Sequence, residues 1–162
     1  MSRDSLESFF QIFDTTDDQG WCDIGYETCD RIVKSYCDDD WNDFVGSIKR
    51  LKSEVHLGVI EILPLAPNRF HARLLEALLL HARGEAWLEA FTELSKLSET
   101  QPQLVRDILS KTRSRERFER EFAAWVNFPT NISEDFATYY HRYRHLIRSE
   151  TQQFYESLKE IT

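Results

Sequence analysis

The sequence predicts an all-α protein. Apolar residues recur three and four positions apart in almost every segment, with no convincing run of strict alternation. Only five glycines and four prolines interrupt the 162 residues. Apolar residues make up 41% of the chain and aromatics 13%, enough for a core of ordinary size in a single domain spanning residues 1–162. About eight or nine helices are expected from the periodicity.

Leu6, Phe9, Phe10 and Phe13 define a short first helix, ended by the turn-favouring loop Thr15–Gly20. Ile24, Ile32, Val33 and Tyr36 define a second. A third lines up Trp41, Phe44, Val45, Ile48 and Leu51 on one face, with Asp40 expected as N-cap and Asp43 at the positive end of its dipole. A fourth covers Ser53 to Leu63 and must stop at Pro64, which lacks an N–H. After Pro67 and Asn68, the residues Phe70, Leu74, Leu75, Leu78 and Leu79 form a strongly apolar fifth helix for the centre of the domain, with Gly84 as its C-terminal cap.

Trp87, Leu88, Phe91 and Leu94 mark a sixth helix, and Leu104, Val105, Ile108 and Leu109 a seventh opened by Pro102. Phe118, Phe122, Trp125 and Val126 define an eighth, stopped by Pro129. The last is expected to be one long helix from Ile132 to Glu160, with Asn131 and Glu134 at capping-box spacing. Its aromatic seam is expected to pack within the molecule; a coiled-coil dimer is the alternative. Helix–turn–helix units recurring from Asp40 to Leu109 suggest α-solenoid-type helix pairs.

Charge is unevenly distributed. Residues 14–43 hold ten acids against Arg31 and Lys34, which is the whole net charge of −8, since the other 132 residues hold eighteen acids and eighteen bases. Trp21, Tyr26, Tyr36 and Trp41 are interleaved with those carboxylates. One-signed charge with aromatic anchors is the chemistry of a surface that captures a basic partner. The expected contacts are Asp17, Asp18, Asp38, Asp39, Asp40 and Asp43, with Trp21 and Tyr26 as anchors. A solubilising surface, with Trp21 or Trp41 in the core, is the plain alternative.

A pI near 5.1 disfavours nucleic acid and anionic membranes as direct partners. No apolar run approaches the roughly 20 residues that span a bilayer. The start Met-Ser-Arg-Asp-Ser-Leu-Glu has neither the basic nor the apolar stretch of a signal peptide, and with three cysteines it points to the cytoplasm.

No pattern spells out a reaction, so no catalytic residue, cofactor or metal is expected. Cys22, Cys29 and Cys37 are too widely spaced for a zinc knuckle, and Cys29 and Cys37 are expected to be buried. His141 and His145 share a helical face, but Arg142, Arg144 and Arg148 around them oppose a cation. The acids at 38–43 do not follow an EF-hand pattern. Lys111, Arg113, Arg115, Arg117 and Arg120, interrupted by Glu116 and Glu119, read as an exposed helix with internal ion pairs.

The pattern Asp40-Trp41-x-x-Phe44 with Ile48 and Leu51, followed by Phe70-His71-x-Arg73-Leu74-Leu75-x-Ala77-Leu78, resembles the HEAT-like helical immunity proteins of bacterial polymorphic-toxin and contact-dependent inhibition systems. The similarity covers roughly residues 25–110. It implies a small cytosolic antidote that binds a toxin domain, such as a nuclease, and blocks its active site or substrate entry. Binding surfaces vary within that group, so no functional residue transfers by motif. The physical reading allows two other classes: a helical adaptor that holds a peptide or helix in an apolar groove, and a phage-type nuclease inhibitor acting as a charge mimic. A monomer and a homodimer are both compatible with the sequence.

Overall fold

The structure, a computed structural model, describes residues 9–12, 25–126 and 135–158. The described residues form helices and no strand. The chain divides into two compact units, residues 1–82 and 83–162. The boundary falls in the short connection at Ala82 and Arg83.

In the first unit, residues 9–12 are helical. They precede α1 (Tyr26–Val33), α2 (Asp38–Ser47), α3 (Ser53–Ile62) and α4 (Asn68–His81). Helix α2 runs into a 3₁₀ turn, Ile48–Arg50, and α3 into another, Leu63–Leu65, so Pro64 sits inside a tightened turn rather than just beyond it. Helix α4 packs on α2 and on the turn after it. The core pairs Phe9 with Phe44 at 4.9 Å, Tyr36 with Trp41 at 5.3 Å, and Trp41 stacked on Phe70 at 5.9 Å. Trp41 is therefore a core residue. Buried His56 lies with Nε2 2.9 Å from the Ile48 carbonyl, tying α3 to the preceding turn.

The second unit holds α5 (Gly84–Leu97), α6 (Pro102–Thr112), α7 (Ser114–Trp125), α8 (Phe136–Tyr143) and α9 (Ser149–Ser157). Gly84, at φ +53°, opens α5; α4 is closed by Ala82, so the expected capping role of Gly84 is corrected. Helix α5 packs against α7 and α9. Between them Trp87 stacks on Phe91 at 5.0 Å, Phe91 meets Phe154 at 4.9 Å, and Phe118 stacks on Tyr155 at 4.0 Å.

The expected long C-terminal helix is two short ones. Helix α8 passes into a 3₁₀ turn, Arg144–Leu146, and the chain is extended at Ile147 and Arg148 before α9 begins. The Gln152 side-chain amide donates to the carbonyls of Arg144 at 2.7 Å and Ile147 at 3.0 Å, satisfying acceptors that the break exposes. Thr151 is buried and shares a hydroxyl hydrogen bond with Thr92 of α5, and Arg148 pairs with Glu89 at 3.2 Å. The last two contacts fasten the start of α9 to α5. Helix α8 starts from Asp135, whose carboxylate accepts the Thr138 N–H at 2.9 Å. Asn131, Ile132 and Glu134, like Pro129, Lys159, Glu160 and Ile161, lie outside the described residues.

Candidate partner-binding surface

The first turn of α2 carries Asp38, Asp39 and Asp40, where the helix dipole favours negative charge. The N-cap is Cys37, not Asp40. Asp40 is the third helical residue, and its Oδ2 accepts the Cys37 backbone N–H at 2.8 Å in a capping box. Cys37 is consequently exposed at the helix mouth rather than buried as expected, whereas Cys29 of α1 is fully buried, with its thiol pushed up to about 12 by desolvation.

The capping role corrects the expectation of Asp40 as an open contact, because its side chain is buried against the backbone it serves. The Cys37 N–H holds its carboxyl below the ordinary carboxylate range. The folded-state value being the lower one, the stabilisation is complete above the unfolded value of about 3.9 and is lost as pH falls through the folded value. Asp40→Asn is expected to lower stability at pH 7 and to flatten its decline below about pH 4. Urea melts of both proteins at pH 7 and at a pH below that range check this; equal separation of the two midpoints at both would count against it.

The other acids of α2 are exposed. Asp38 pairs with Arg69 of α4, and Arg73 of α4 donates to Asn42 Oδ1 at 2.6 Å. Both guanidiniums also lie over the Phe70 ring, at 5.0 and 5.4 Å. Asp39 and Asp43 are four residues apart, on one face of α2, and make no ion pair among the described residues. Tyr26, the first residue of α1, is 37% exposed. On α1 Asp30 pairs with Lys34 at 2.6 Å. Asp17, Asp18 and Trp21 lie outside the described residues.

Arg69 and Arg73 are the residues the charge count missed. They come from a segment read as apolar core, and the signal available was their four-residue spacing around Phe70, which places both on the outer flank of α4.

His141 lies in α8 and His145 in the following 3₁₀ turn, so no regular helix presents both rings on one face. Among the described residues no group of three His, Cys, Asp or Glu side chains is placed to hold a metal ion. The basic run is divided by Arg113 between α6 and α7, and Arg117 is only 10% exposed, paired at 3.2 Å with buried Glu121. No helix among the described residues is long and apolar enough to cross a membrane. Comparison with known proteins finds no family profile, curated protein or solved structure that matches the chain.

Proposed function

We propose that this chain is a helical immunity protein that neutralises a toxin domain, its first unit capturing a basic surface of that partner in the cytoplasm. The supporting observation is the allocation of charge. Residues 1–82 hold fifteen acids against eight bases, and residues 83–162 thirteen against twelve. Asp39 and Asp43, exposed on α2 and without an ion pair among the described residues, give that excess an outlet. Nuclease-type toxins have basic clefts because they hold phosphates, and an opposing row of carboxylates accelerates encounter with such a cleft.

The test is binding to the toxin domain encoded beside the gene for this chain. Asp39→Lys with Asp43→Lys is expected to slow association by about tenfold or more at low salt and by less at high salt, with the helical circular-dichroism spectrum preserved. An unchanged association rate would reject this surface. Capture that is insensitive to salt from the outset would favour an apolar groove of the adaptor kind.

A further inference from the structure

The second unit contains a cavity of about 660 Å³ between the end of α6, the start of α7 and Leu158. That volume is in the range of small-molecule sites. Leu109 and Leu158 give it apolar walls, Arg115 is among its charged lining, and two further arginines, Arg106 and Arg113, line it too. Neither arginine makes a side-chain hydrogen bond or an ion pair among the described residues, although Glu116 and Glu119 line the same cavity.

Arg113 carries a second peculiarity. It is the single residue between α6 and α7, and its backbone is left-handed, at φ 49° and ψ 47°. A side chain with a Cβ is disfavoured there and glycine is the usual occupant. Strained residues of this kind collect at ligand sites. An arginine stands where glycine would fit better, and that arginine lines the cavity.

We propose that this cavity binds a small monophosphorylated or carboxylated molecule with an apolar body, its anionic group held by Arg106 and Arg113 and its body against Leu109 and Leu158. The two glutamates offset two of the three lining arginines, which leaves the lining too weakly positive for a polyanion and selects a compact ligand over nucleic acid. The site lies within the second unit and does not depend on the immunity reading.

Phenyl phosphate, inorganic phosphate and phenol serve as probes of the full-length protein by calorimetry and by amide chemical shifts. Phenyl phosphate is expected to bind saturably and more tightly than either of its halves. Arg106→Gln and Arg113→Gly are each expected to weaken it by about tenfold, the loss of a charge-assisted hydrogen bond. Arg113→Gly is also expected to raise the melting temperature, so its loss of binding cannot come from unfolding. Unchanged affinity in both variants, no saturable phenyl phosphate binding, or inorganic phosphate binding equally well would each overturn the proposal.

Discussion

Glu121→Ala is expected to destabilise the second unit by about 3–5 kcal/mol, the cost of breaking a buried ion pair by removing one partner. The Glu121 side chain is 4% exposed and that of Arg117 is 10% exposed, so solvent does little to screen them. Its carboxylate accepts the Gly84 N–H at 2.7 Å and the Arg117 Nε at 3.2 Å, joining the first residue of α5 to α7. Burial pulls the Arg117 pKa down and Glu121 opposes that pull, while its guanidinium lies 5.7 Å from the Trp87 ring. Without Glu121 a desolvated cation and the N–H of a turn glycine lose a common acceptor. Glu121→Gln keeps an oxygen for Gly84 but no charge for Arg117, and its stability should fall between those of wild type and alanine. Urea denaturation measures all three. A loss below about 1 kcal/mol for alanine would show that water replaces the carboxylate.

Phe118→Ala is expected to cost a comparable amount, about 3–5 kcal/mol, by opening a cavity in the aromatic core. Phe118 is fully buried; it stacks on Tyr155 at 4.0 Å and on Phe122 at 5.7 Å, and meets Phe91 at 5.5 Å and Tyr140 at 5.9 Å. The aromatic side chains of α5, α7, α8 and α9 thus converge on one ring, and rigid rings close a void poorly. Trp125, half-buried at the end of the same helix, should cost less on truncation despite its larger ring. Equal losses at the two positions would argue that residue size, rather than convergence, sets the penalty.

The helices were legible wherever one apolar stripe dominated. The stripes at Leu74, Leu75, Leu78 and Leu79, and at Trp87, Phe91 and Leu94, are buried in the helices expected to carry them. The break after Tyr143 was harder, because Tyr143, Ile147 and Phe154 keep helical spacing through it. The local clue was the polar pair Glu150 and Thr151, which interrupts the stripe and lies in the first turn of α9. Caps were misassigned by a few residues for a physical reason: Asp40 can bond a backbone N–H as N-cap or as third residue, and sequence alone does not choose. At the candidate surface the count of carboxylates was readable, but the arginines opposite them belong to a helix thirty-one residues further on. Likewise, Glu121 looks like one more charge in a mixed run until the fold brings Gly84 and Arg117 to it.

The interruption at Ile147 also bears on self-association. Winding two copies into a zipper takes about three to four successive heptads of matched register. Helices of 8 and 9 residues, offset by an extended step, supply about one heptad each. Any pairing of this chain with itself through its C-terminal helices must therefore be a docking of short faces, with its geometry fixed by side-chain fit rather than by a supercoil.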